Sequence, residues 1–136
     1  MPLFIWKPSY DLGIPEIDHD HRLLVGMINE LYEAMKQGQG YELMNELLNR
    51  LIDYVGKHFE TEEGFMRAGN YPGILEHEKE HQQFRANILG MDMRRRAGNA
   101  PPSIELLTYL RDWLGNHVTT TDKELGRYLK RIQDTP

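Results

Sequence analysis

Cysteine is absent from all 136 residues, so disulfides, thiolate-held metals and thiol nucleophiles are excluded by composition. Long apolar runs are missing too: nothing approaches the roughly eighteen residues a membrane-spanning helix needs. The opening stretch, Met1 to Pro8, has a brief apolar patch but no charged start followed by a long apolar core, so no secretory leader is expected. The expectation is a cytoplasmic protein with no membrane partner. Positive charge is in deficit, with 16 Lys and Arg against 21 Asp and Glu and a net charge of −5. Nucleic acid is therefore not an expected partner, because phosphate binding needs a basic surplus gathered on one face. The one basic run, Arg94-Arg95-Arg96, reads as a solvated helix end that complements the helix dipole. Strand-like alternation, internal repeats and low-complexity tracts are also lacking.

What is present is a helical rhythm. With 40% hydrophobic and 27% charged residues the chain reads as one globular domain spanning 1–136. After an irregular arm of about 1–17, His21, Leu24, Ile28, Leu31 and Met35 recur in steps of three and four, one helical face, with Asp18 as the expected N-cap and Gly38 and Gly40 as the stop. A second face runs through Met44, Leu47, Leu51, Tyr54, His58, Glu62 and Phe65, and ends near Gly69 to Gly73. A third carries Ile74, His77, His81, Phe84, Ile88 and Met91, and stops at Ala97 to Pro102. Ser103 is the expected cap of a fourth, through Leu107, Leu110, Leu114, His117, Leu125, Leu129 and Ile132. Four helices with short connections make antiparallel neighbours, so the predicted fold is all-α, an up-down-up-down four-helix bundle over about 18–132.

Five of the six histidines, His21, His58, His77, His81 and His117, fall on these inward faces. Burying five imidazoles in one small core without a common partner would cost several kcal/mol in desolvated polar groups, whereas a metal takes up their lone pairs. His58 and Glu62 are four apart, as are His77 and His81, which places each pair one turn apart on one face. His117 and Asp122 are five apart and about 140° out of phase on a regular helix. A local π-type widening around Thr119-Thr120-Thr121 would bring both inward; an unbroken α-helix with Asp122 facing solvent would refute it.

Five imidazole nitrogens and four carboxylate oxygens, if Glu62 and Asp122 both bridge, make nine bonds to two ions. A bridging hydroxide adds two, leaving one of twelve octahedral positions open for a small exogenous ligand. Nitrogen and oxygen donors without thiolate point to iron or manganese before structural zinc. The string His77-Glu78-Lys79-Glu80-His81 also fits the H-E-x-x-H pattern of zinc proteases. That reading uses two histidines and leaves His21, His58, Glu62 and Asp122 buried without a role, so Glu78 is taken as a chance match on a charged flank.

The order His21, His58-x-x-x-Glu62, His77-x-x-x-His81, His117-x-x-x-x-Asp122 resembles the hemerythrin signature with all seven ligand positions filled. The surroundings resemble the bacterial members: Gly13-Ile14, Ile17-Asp18, His58-Phe59, Glu62-Glu63, Tyr71-Pro72 and Trp113-Leu114. The resemblance implies a non-haem di-iron site, hydroxo- or oxo-bridged, that binds dioxygen reversibly and is not an enzyme. It puts His77, His81 and His117 on one iron, His21 and His58 on the other, and Glu62 and Asp122 between them. Dioxygen would bind at the iron held by His21 and His58, behind a dry wall of Ile28, Phe59, Trp113, Leu114 and Val118. The expected partners are dioxygen and an oxygen-consuming enzyme, the chain itself a monomer, in storage, delivery or sensing.

One departure stands out: Asp20 occupies the position just before the first ligand, where bacterial members usually have glutamine, and it is expected to face solvent. His19 matches no ligand position and reads as a surface residue, and Tyr54 reads as core filling. Ferritin-like and oxygenase bundles use mostly glutamate ligands; five neutral imidazoles favour holding oxygen over activating it. The alternative is a di-iron enzyme reducing peroxide or nitric oxide, or detoxifying iron or oxygen, which would need repeated electron delivery that no flavin, thiol or second metal motif here provides.

Overall fold

Proline at position 15 starts the first helix, because its ring pre-sets φ and its missing N–H would have had no partner in the first turn. The computed structural model describes Phe4 and residues 6–133. It contains α1 (Pro15–Lys36), α2 (Gly40–Ala68), α3 (Ile74–Arg96), α4 (Ser103–Asn116) and α5 (Asp122–Gln133). A 3-10 turn covers Pro8–Tyr10, and a π turn, His117–Thr121, joins α4 and α5 into one rod. The fold is a four-helix bundle, with no strand among the described residues. α2 packs on α1 and α3, and α1 packs on α4. Among the described residues no helix is long and apolar enough to cross a membrane.

Three helix ends close the same way. Gln39 N–H donates to Ala34 O at 2.7 Å, Tyr71 N–H to Met66 O at 2.9 Å and Asn99 N–H to Arg94 O at 2.8 Å, bonds that each span a left-handed residue. Those residues are Gly38, Asn70 and Gly98, with φ of 74°, 52° and 81°. This is the Schellman closure, which needs a residue tolerant of positive φ.

Four sequence expectations need correction. Asp18 is not the N-cap of α1; Ile14 is, and Asp18 sits in the first turn, where its carboxylate accepts the Leu12 and Gly13 backbone N–H groups at 2.7 and 3.0 Å. Ser103 is the first residue of α4, after the N-cap Pro102, and makes no capping bond. Gly40 opens α2 instead of ending α1; an added Cβ there would meet Met35 Cγ at 2.6 Å. Ile132, expected inside, is 43% exposed in the last turn of α5.

The main core joins Leu24, Ile28 and Leu31 of α1, Leu47 and Leu51 of α2, Phe84 and Ile88 of α3, and Leu107, Leu110 and Leu114 of α4. Each such buried side chain contributes roughly 1.5–3 kcal/mol. A smaller cluster, Leu12, Ile14 and Ile17, packs with Phe65 and Leu129. Between the two clusters every rod contributes polar residues: His21 follows Ile17 by one turn, His58 and Glu62 precede Phe65, and Asp122 precedes Leu125 and Leu129. On α3 the buried positions are His77, His81, Phe84, Ile88 and Asp92, so its inward stripe is largely polar.

Candidate metal centre

The histidine steps read from the sequence put all five imidazoles in that layer, each at most 1% exposed, with Glu62 and Asp122 at 0%. Asp122 arrives there because the backbone widens: its N–H bonds to His117 O, five residues back, so one extra residue fits in the turn and Asp122 falls beneath His117. The widening expected around Thr119–Thr121 is present as a π turn over His117–Thr121.

The seven side chains form two overlapping groups, Glu62 with His77, His81, His117 and Asp122, and Glu62 with His21, His58 and Asp122. In each group one ligand-type atom from every residue lies within 4.8 Å of the others. Glu62 Oε1 lies 2.7, 3.3 and 3.7 Å from the Nε2 atoms of His77, His81 and His117. Asp122 Oδ1 lies 3.0 and 3.1 Å from those of His77 and His117. The other oxygens face the second group: Glu62 Oε2 is 2.7 Å from His58 Nε2 and 3.5 Å from His21 Nε2, and Asp122 Oδ2 is 2.8 Å from His21 Nε2. Each carboxylate therefore spans both groups.

Many of these contacts are short without being aligned as hydrogen bonds. His21 Nε2, His58 Nε2, Glu62 Oε2 and both Asp122 oxygens are buried with no hydrogen-bond partner. Each such group costs roughly 1–3 kcal/mol. Atoms packed this closely yet not aimed at one another fit a shared cation, and the nitrogen and oxygen donor set suits a divalent transition metal. The cluster is able to hold metal.

Electrostatics points the same way. Burial pulls the pKa of His58 down, but the Glu62 charge beside one ring nitrogen and the Asp20 carboxylate at the other outweigh it and raise it from 6.5 to about 9. His77 is likewise raised to about 9 against the burial effect, through Asp122 and Glu62, and His21 and His117 are raised for the same reason. His81 is the exception, where burial prevails and lowers it. Glu62 and Asp122 would be raised by burial, yet the surrounding imidazoles hold both below the usual carboxylate range. Two buried anions thus draw in positive charge, as protons or as metal.

Two of the outward-facing ring nitrogens, those of His58 and His117, have carboxylate partners. His58 Nδ1 lies 3.0 Å from Asp20 Oδ2, and the Tyr54 hydroxyl donates to Asp20 Oδ1 at 2.8 Å. Asp20 was expected in solvent and Tyr54 as plain core filling; instead, one turn of α1 brings Asp20 across to α2, where both meet it. His117 Nδ1 lies 3.2 Å from Glu80 Oε1, and the Thr121 hydroxyl donates to both Glu80 oxygens, at 2.9 and 2.7 Å. Sequence reasoning passed over Glu80 and Thr121, although Glu80 belongs to the same H-E-K-E-H string. Glu78, the residue a protease would use, is outside the cluster, and His19 is exposed.

Of the expected apolar wall, Ile28, Trp113 and Leu114 line a cavity with Leu24, Leu51, Phe84 and Leu110. Its free volume is about 10 Å³, and Leu24 follows His21 by one turn. That volume barely reaches what one water requires, and the lining offers no polar partner to hold one. Phe59 does not line it; its ring stacks on His81 at 3.8 Å. Val118 is buried next to His117 but is not part of the lining either. Trp113 also stacks on His117 at 4.3 Å, and on the other side Trp6 of the arm lies 6.2 Å from the His21 ring.

Residues 12–129 match the family described as the Hemerythrin HHE cation binding domain. A bacteriohemerythrin of Stenotrophomonas maltophilia (strain R551-3) is 32% identical over 130 residues, which cover 96% of this chain and 84% of that one. One of Pseudomonas aeruginosa (strain LESB58) is 33% identical over 122 residues, or 90% and 78% of the two chains. A crystal structure of wild-type hemerythrin superposes with a TM-score of 0.84 at 29% identity, covering 93% of this chain and 98% of that one.

Proposed function

Because the chain belongs to the hemerythrin family, we propose that it binds dioxygen reversibly at a non-haem pair of iron ions held by His21, His58, Glu62, His77, His81, His117 and Asp122. The observation that supports this most is the unequal sharing of donors. Glu62 and Asp122 offer an oxygen to each group, but one group has three imidazoles and the other has two. The His21 and His58 side therefore has one protein donor fewer, and a small diatomic ligand requires such a shortfall.

Bound iron would supply the electrons that dioxygen takes up and returns. The chain's own part is geometric and dielectric. Phe59 against His81 and Trp113 against His117 keep those rings from turning. Ile28, Leu24 and Leu114 keep water from the His21 side, and without hydration a charged product has no easy way out. Five imidazoles in place of a carboxylate-rich set support holding the ligand over oxidising with it. Storage or delivery of dioxygen to an oxygen-consuming enzyme is the role this reading carries.

The test is to load ferrous iron without oxygen, count the metal, admit dioxygen and then sparge with argon. Two irons per chain and a visible band that comes with oxygen and leaves with argon are expected. One ion per chain, or a colour change that runs once and does not reverse, would replace reversible binding with another chemistry.

A further inference from the structure

His58 is held from both sides. Its Nε2 faces Glu62 inside the centre at 2.7 Å, and its Nδ1 faces Asp20 at 3.0 Å. Asp20 uses its other oxygen to accept the Tyr54 hydroxyl at 2.8 Å. With a metal ion on the inner nitrogen, the outer one carries the N–H and donates to a carboxylate that already accepts a second hydrogen bond. The His58 ring is 1% exposed and the Asp20 side chain 20%, so water screens this contact only in part.

The neighbouring imidazoles differ. His21 Nδ1, His77 Nδ1 and His81 Nδ1 are buried without a hydrogen-bond partner. Among the described residues, only His58 and His117 have a carboxylate at hydrogen-bond distance from the outer nitrogen, at 3.0 and 3.2 Å. Within the two-imidazole group, Asp20 is thus the one anionic outer partner, and with fewer nitrogens there each one weighs more.

We propose that Asp20 and Tyr54 act as an opposed pair of positioning residues that set how strongly His58 donates electrons to a metal ion. This rests on the metal-centre reading above. By accepting the ring N–H, Asp20 moves His58 toward imidazolate, a stronger donor that stabilises the more highly charged ion. By donating to Asp20, Tyr54 draws off part of that negative charge and restrains the effect. Neither residue touches the metal-facing nitrogen, and the two sit on different helices, so the pair also locks α1 to α2 beside His58.

Two variants give opposite signs. Asp20→Asn removes the charge at nearly constant shape, and Tyr54→Phe removes only the hydroxyl. In the iron-loaded protein, Asp20→Asn shifts the reduction potential positive and Tyr54→Phe shifts it negative. With zinc, which has no redox chemistry, Asp20→Asn lowers affinity about tenfold, in the range for lost outer-sphere partners, and Tyr54→Phe does not lower it. Residues that merely support the fold would move both variants the same way; shifts of equal sign, or none in either, overturn the proposal even if oxygen binding stands. Opposite shifts in a protein whose colour never responds to oxygen would sustain it and remove the oxygen reading instead.

Discussion

Asp18 is the residue where the sequence reading was right about identity and wrong about role. A buried aspartate just before a helical stripe looks like an N-cap, but Pro15 had already begun the helix, and the carboxylate serves the arm's backbone at Leu12 and Gly13. Asp18→Ala leaves both N–H groups without that acceptor, so thermal or denaturant unfolding should show a loss of roughly 1–3 kcal/mol. A loss of a few tenths would mean that water replaces the carboxylate at no cost. Leu114 makes a second case. It is 3% exposed and lines the small apolar cavity, so Leu114→Ala should cost roughly 2–5 kcal/mol in unfolding and admit water. Iron-loaded Leu114→Ala should then oxidise faster in air; an unchanged rate would take Leu114 out of the wall. The outer partners Asp20, Tyr54, Glu80 and Thr121 were not legible, because helical spacing says which face a residue is on but not how far a side chain reaches across to another rod.

The π turn is the element whose register was legible before its geometry was known. His117 and Asp122 are five positions apart, both are buried, and only an added residue in the turn reconciles the two facts. An element with one residue too many should tolerate losing one. Deleting the exposed Thr120 should turn the wide turn into an α turn and leave Leu125 and Leu129 facing inward, with circular dichroism and cooperative melting close to the parent. Deleting Glu124 from α5 instead should rotate all that follows by about 100° and abolish cooperative melting. Equal damage from the two deletions would mean that the widening is not a removable residue. The helix stops were only partly legible for a similar reason: Gly38 and Gly98 announce a left-handed closure, whereas Asn70 makes the same closure without a glycine.

For the bundle as a whole, two carboxylates and five imidazoles in one interior layer make stability depend on pH and on metal together. His58 and His77, raised from 6.5 to about 9, contribute stability that is fully present below about 6.5 and lost as pH rises through about 9. Glu62, held well below 4.5, contributes stability present above 4.5 and lost on acidification. The metal-free protein should therefore melt highest between roughly pH 4.5 and 6.5 and lose stability toward pH 9. A divalent ion displaces those protons, so its stabilising effect should grow over the same rise in pH, with proton release seen by calorimetry in two buffers. A metal-free melting temperature that climbs steadily to pH 9 would show that the imidazoles are not protonated in the core. Much of this was written in the chain. Periodicity in steps of three and four defines four inward faces, short connections make neighbours antiparallel, and the positions of His, Glu and Asp on those faces bring seven donors to one depth, because a helix carries residue spacing directly into space. Across the gaps between rods no such rule operates. Which carboxylate oxygen turns to which histidines, that Asp20 reaches His58 and Glu80 reaches His117, and that Phe59 lies on His81 instead of lining the cavity are settled by side-chain reach and packing between segments distant in sequence, and these contacts exist only once the helices have docked.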